Sequence, residues 1–214
     1  MSWPKGSAMP ALVVVELLGP LLQGPDPIAT VLREALEAEG LELRPGALEQ
    51  AQGMALRPAL ERLLEGHGRQ ELLDEVDRIE ALARGRLASR RKTGMLRAAS
   101  GASEGWQRLQ ESGSRLAVIT NLPADLATGL AAAAGIAVES WQWIVADDGR
   151  GFPHPDHLLE WFDGRVTPDQ VAAMVASAAA ASAATSAGCG SVVAVGNGGA
   201  AMLADTVIEG LEKA

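Results

Sequence analysis

The sequence predicts a three-layer α/β fold, a parallel sheet of about five strands between helices, with a helical unit inserted after the first strand. Three observations predict it. Runs rich in β-branched residues at 12–15, 115–120 and 191–195 alternate with helical patterns, the mark of parallel βαβ units. The long stretch between the first two runs carries helical periodicity and no strand signal. A parallel crossover needs only about a dozen residues, so this stretch is an insert and not a connection. With 214 residues, 48% of them apolar, the chain can bury a core for one large domain or for a core domain carrying an insert.

Taken in order, Leu12-Val13-Val14-Val15 reads as a buried strand running through Glu16 into a Gly19-Pro20 turn. Residues 28–39 follow as an amphipathic helix. Ile28, Val31, Leu32, Ala35 and Leu36 share one face, with Arg33, Glu34 and Glu37 opposite. Residues 48–64 and 71–87 repeat the pattern, with Gly66-His67-Gly68 as the break and His67 as a turn residue. Near Gly94 the chain returns to the core. Residues 100–113 read as a capped helix ending in Gly113, just before the strand at 115–120. Weaker strands are expected at 140–145 and 171–175, and the Ala-rich tract 172–187 is expected to pack as a core helix. The expected division is a core domain of residues 1–22 and 94–214, with a helical domain of residues 23–93.

Composition excludes several functions. A net charge of −9, with no basic stripe interleaved with aromatics, argues against nucleic-acid binding, and Arg90-Arg91-Lys92 reads as a solvated helix end. The longest apolar stretch, 171–187, is dominated by Ala and Ser, too weakly hydrophobic for a membrane span. Residues 1–6 lack the charged start and apolar run of a signal peptide. Cys189 is the single cysteine, so no internal disulfide is expected and a reducing cytoplasm is. Its small-residue setting suggests a packed thiol. His154 and His157 lie near Asp147, Asp148 and Asp156, but Pro153 and Pro155 make the stretch an irregular surface loop more than a metal cluster. Gly196-Asn197-Gly198-Gly199 reads as a loop closing the last strand, with an anion cradle as the alternative. Trp141, Trp143, Trp161 and Phe162 read as core packing, with a partner or dimer surface as the alternative.

Several segments together resemble the haloacid dehalogenase (HAD) superfamily, most closely its phosphonatase-like branch with a helical cap. Glu16-Leu17-Leu18-Gly19-Pro20 stands where the family has Asp-x-Asp-Gly-Thr. Residues 101–121, ending in Thr120-Asn121, are similar to the family's second motif. Gly149 to Asp156 resembles its third, with Phe152 in place of the cation. Thr167-Pro168-Asp169-Gln170-Val171 leads into the fourth, whose two acidic metal positions then read Ser177 and Ala181. Residues 186–193 and 204–211 are similar to the family's closing segments. A competing register would put Asn197 at a metal position, and the lead-in favours Ser177.

The resemblance implies a Rossmann-like core with a cap, and a reaction in which an Asp attacks phosphorus while Mg²⁺ and a Lys or Arg neutralise charge. It implies ligand contacts from Glu16, Thr120 and Asn121. Gln52 to Pro58 resembles the cap segment that carries the phosphonatase Schiff-base Lys, and that place holds Leu56 or Arg57. Arg stays protonated and cannot form an imine at neutral pH, so Arg57 is expected only to bind an anion. Glu16 is the one catalytic candidate. No metal ligand set is expected, although Mg²⁺ is the family's cofactor. Leu18 cannot act as acid or base, and Phe152 cannot supply the cation that phosphoryl transfer requires. The expected function is therefore a catalytically impaired, regulatory or binding protein that takes a small anionic ligand or a protein partner, including a second copy of itself. The alternative is a divergent hydrolase of a small phosphorylated or phosphonate metabolite.

Overall fold

A computed structural model describes residues 9–51, 53–90, 96–136, 143–145, 155–162, 164, 166–196 and 198–213. Phe152, His154, Asn197, Trp141, Asp147, Asp148 and the Arg91-Lys92 pair, all singled out above, lie outside these residues, as does the side chain of Trp143. The core is a six-stranded parallel sheet. Its strands are β1 (Leu12–Glu16), β4 (Arg115–Thr120), β5 (Trp143–Val145), β6 (Val171–Val175), β7 (Ser191–Val195) and β8 (Thr206–Ile208), in the order β5-β4-β1-β6-β7-β8. All five expected strands are present. The short edge strand β8 is the addition, so the segment after β7 closes the sheet edge and not the last strand.

Alternation along β1 builds the layers. Val13 and Val15 face one apolar cluster, Leu12 and Val14 another on the opposite side of the sheet. Trp161 and Phe162, at the end of α8 (Pro155–Phe162), meet edge to face at 6.0 Å. Phe162 belongs to the second cluster and Trp161 packs against it. For these two aromatics the core-packing reading holds.

Between β1 and β4 run α1 (Pro27–Ala38), α2 (Ala47–Gln50), α3 (Leu56–Gly66), α4 (Gln70–Leu73), α5 (Val76–Ser89) and α6 (Ala102–Glu111). A two-stranded antiparallel ribbon, β2 (Leu22–Gln23) with β3 (Arg97–Ala98), joins the chain where it leaves and re-enters the core. The faces of α1 and α3 bury Ile28, Val31, Leu32, Ala59, Leu60 and Leu63 in the same cluster as Val13 and Val15, so the insert and one side of the sheet share a continuous core.

Two expected helices are broken. The 48–64 pattern divides at Gly53, whose φ of +80° is left-handed and ends a helix. The 71–87 pattern divides into α4 and α5. His67 is more than a turn residue, because its Nδ1 bonds Leu63 O at 2.7 Å while its Nε2 accepts the Arg44 N–H at 3.0 Å. The Ala-rich tract is strand up to Val175 and helix only in α9 (Ala178–Ser186), capped by Ser177. No described helix is long and apolar enough to cross a membrane.

Candidate functional site

β1 lies between β4 and β6 and delivers Glu16 to the carboxyl edge of the sheet, at the switch point where open α/β sheets bind ligands. Beyond Glu16 the backbone turns tightly, with the Gly19 N–H on Leu22 O and the Leu22 N–H on Leu17 O. This turn sits directly against the turn between β6 and α9.

Glu16 is 5% exposed, and both of its oxygens are engaged. Oε2 accepts the N–H groups of Ala176 (2.7 Å) and Ser177 (2.9 Å), and Oε1 accepts the Ser177 hydroxyl (2.7 Å). Ser177 Oγ accepts the Ala180 N–H at 3.1 Å and so caps α9. Glu16 thus extends that cap, placing a carboxylate where the helix dipole favours one. Burial pushes its carboxyl above the ordinary range, the bonds from Ser177 and Ala176 pull it back, and the nearby Asp26 pushes it up again.

A cleft of about 350 Å³ opens at this point, at the small end of ligand sites. Glu16, Leu18, Gly19, Ala176, Ser177, Gly198 and Gly199 line it from the core, and Leu22, Gln23, Gly24, Asp26, Gly53 and Asn121 complete it. Asp26 escaped the sequence reading. Asp26-Pro27 is an N-cap followed by Pro at the first helical position, and it starts the helix next after the β1 turn, which is the signal that would have found it. Its Oδ1 accepts the N–H groups of Ile28 (2.8 Å) and Ala29 (3.3 Å), and burial raises its carboxyl above the ordinary range.

The four residues expected to bind ligand separate. Glu16 and Asn121 line the cleft. Thr120 is 2% exposed and its Oγ1 accepts the Leu122 N–H at 3.1 Å, so it serves its own turn and is not part of the lining. Arg57 lies apart from them. Its guanidinium bonds Asp77 (2.7 Å), Glu80 (2.9 Å) and Glu61 (3.1 Å), an ion-pair network of α3 and α5 away from the cleft lining. Cys189 stays a neutral thiol, pushed up to about 12 by burial.

Asn121 joins the insert to the sheet. Its Nδ2 donates to Met54 O at 2.9 Å, and beside that bond Gly53 passes so close to α9 that a Cβ would lie 3.2 Å from Ala179 Cβ. We expect Asn121→Ala to lose about 1 kcal/mol and to raise hydrogen exchange selectively around residues 53–56. Uniform exchange across the insert would remove Asn121 as the clasp.

In the fold family that the sequence resembles, Mg²⁺ sits between the first-motif carboxylate and an acid of the fourth motif. The residues present do not fit it. Among the described residues no three His, Cys, Asp or Glu side chains group closely enough to hold a metal ion. The position that the resemblance assigns to the fourth motif holds Ser177, and the Glu16 oxygens face N–H and O–H donors at the start of α9.

No protein-family model and no curated protein matches the chain. Solved structures do. A haloacid dehalogenase-like hydrolase from Bacteroides fragilis superposes with a TM-score of 0.76 at 16% identity, over 95% of this chain and 98% of that one. The chain has the haloacid dehalogenase fold. Two further HAD-fold matches are CbbY from Rhodobacter sphaeroides in complex with phosphate (TM-score 0.75, 15% identity, 96% of each chain) and a phosphonoacetaldehyde hydrolase-like protein from Oleispira antarctica (0.74, 14%, 99% of this chain and 93% of that one). Within the HAD fold of this chain, Glu16 ends the central strand and Ser177 follows the adjacent one, so the two motif positions meet at 2.7 Å.

Proposed function

We propose that this chain is a small-molecule binding protein on a HAD hydrolase scaffold, without the scaffold's Mg²⁺-dependent phosphoryl transfer. The observation that carries this reading is the engagement of Glu16. A nucleophilic carboxylate must present a free oxygen lone pair to phosphorus, with a cation nearby to screen the approach of two anions. Here three donors hold the two oxygens against the start of α9, and no Lys, Arg or His stands among the described lining of the cleft. The longer Glu side chain bends into the cap of α9, which an Asp at this position would be one methylene too short to copy. A cytoplasmic setting fits a chain whose one cysteine is a packed, neutral thiol.

A second reading, a divergent hydrolase of a small phosphorylated or phosphonate metabolite, is supported by the solved structures. Two of the three are described as hydrolases or hydrolase-like, and CbbY holds phosphate. On this reading Glu16 is the nucleophile. Incubation with p-nitrophenyl phosphate and Mg²⁺, beside Glu16→Gln, separates the two. We expect no turnover above the buffer rate and no effect of Mg²⁺ on Tm. Turnover that Glu16→Gln abolishes, at an unchanged fold, would establish the hydrolase.

A further inference from the structure

Beyond β8 the chain turns back onto the core. A single 3₁₀ turn, Leu211–Lys213, lays it against α6. Leu211 is 1% exposed and joins Trp106 and Leu109 of α6 in the first apolar cluster. Arg108, on the same helix, donates from Nη1 to Glu212 O at 2.6 Å.

Two glycines make the seat. Gly105 lies inside α6, where Gly weakens a helix relative to Ala, yet a Cβ there would stand 2.6 Å from the carbonyl of Leu211. Gly101, the N-cap of α6 with φ at +69°, passes so close to Glu212 that a Cβ would overlap its carboxylate. Glu212 Oε2 is buried and has no hydrogen-bond partner among the described residues. The hold therefore comes from the burial of Leu211 and from Arg108.

What the segment holds is the point where the chain re-enters the core from the insert. Gly101 stands two residues past Ala99, whose N–H bonds Leu21 O at 2.9 Å, and the Ala102 N–H returns to Ala99 O at 3.1 Å. Ala99 directly follows β3, which pairs Ala98 with Leu22 and Arg97 with Gln23. Leu22, Gln23 and Gly24 in turn line the cleft. The path from Leu211 to that wall runs through packed side chains and backbone hydrogen bonds, the kind of contiguous contact that can carry position.

We propose that residues 210–213 form a strap that positions the ribbon wall of the cleft, by clamping α6 through Leu211 on Gly105 and Arg108 on Glu212 O. Its consequence for a ligand rests on the reading of the cleft as the binding site, and its effect on the ribbon does not. With the strap displaced, the start of α6 and the β2-β3 ribbon gain freedom together, while β1 stays fixed between β4 and β6.

The test is amide hydrogen exchange on Gly105→Ala, which expels Leu211, and on Arg108→Gln, which removes the bond to Glu212 O. Arg108 is exposed, so its variant keeps the fold whatever Gly105→Ala does. Gln107→Ala is the control, on the exposed face of α6 where Gln107 donates to Glu111. Exchange at residues 21–23 and 97–99 is expected to rise about tenfold in both variants, with Val13 to Val15 of β1 and the control unchanged. Ribbon exchange at the wild-type rate, with residues 211–213 alone faster, would overturn the strap. An equal rise in β1, or in Gln107→Ala, would overturn it as well, by showing a general loss of stability. None of these failures bears on whether the cleft is the binding site, because no ligand enters the measurement.

Discussion

Glu16→Ala is expected to lose about 2–4 kcal/mol of folding stability, because it strands the N–H groups of Ala176 and Ser177 and the Ser177 hydroxyl together beneath the sheet edge. For a chain of this size the fall in Tm is on the order of 10 °C. Glu16→Gln keeps an oxygen for the two N–H groups and is expected to lose less than half as much. Comparable losses for the two variants would mean that volume, and not the hydrogen bonds, sets the effect.

The same residue gives the stability a pH dependence of definite sign. Glu16 and Asp26 are held above their ordinary values of 4.5 and 3.8, first by burial. Between each ordinary value and the raised one, the native state keeps a proton that the unfolded chain has lost, so stability falls as pH rises through that window. Glu34, Glu39 and Glu71 act in the opposite sense. Hydrogen bonds from Arg90, Arg78 and Arg69, respectively, hold them below 4.5, and their contribution is lost only as pH falls beneath that value. Glu71 is exposed and Glu34 and Glu39 are only half-buried, so solvent screens them more than the two cleft acids, which dominate. Urea midpoints should therefore decline for the wild type as pH rises above 4.5, and decline less steeply in Glu16→Gln, where Asp26 alone still acts. A midpoint that rises with pH would contradict the burial of Glu16 as an acid.

Gly19→Ala carries the second large effect. With φ at +99°, a side chain is strained before any contact is considered, and the added Cβ would lie 2.3 Å from Ala176 Cβ. The sum is about 3 kcal/mol of destabilisation. It also forces apart the two turns that hold Glu16 to Ser177. Gly113→Ala is the matched control. It has a similar φ of +84° with nothing within 4 Å of the new Cβ, so strain alone acts and about 1 kcal/mol is expected. Equal losses at the two positions would show that the turns flanking the cleft can separate freely.

Much of the fold was legible because it rests on local periodicity. The β-branched runs at 12–15, 115–120 and 191–195 became β1, β4 and β7, and the apolar stripe from Ile28 to Leu36 became the buried face of α1. The helix broken at Gly53 was not legible. The spacing of Leu48, Leu56, Leu60 and Leu63 continues across the break, and it is contact with α9 and with Asn121 that explains a left-handed residue there. Of the expected site residues, Thr120 and Asn121 are neighbours in sequence with opposite fates. Alternation at a strand end sends one side chain into its own turn and the other to the cleft.

Glu16 shows where the division lies. The sequence by itself determined that a carboxylate ends a buried strand in an α/β chain with an inserted helical unit, since that follows from residue type and short-range pattern, and its resemblance to the HAD superfamily implied the fold and the missing acids. Only the tertiary structure decided what the carboxylate does. Its three donors lie 160 and 161 residues away, and Asp26, which biases its charge, belongs to the inserted helices. No local rule specifies which of two helix ends a buried acid will cap. Packing of β6 beside β1 brings the start of α9 to Glu16, and that contact makes the carboxylate part of a helix cap.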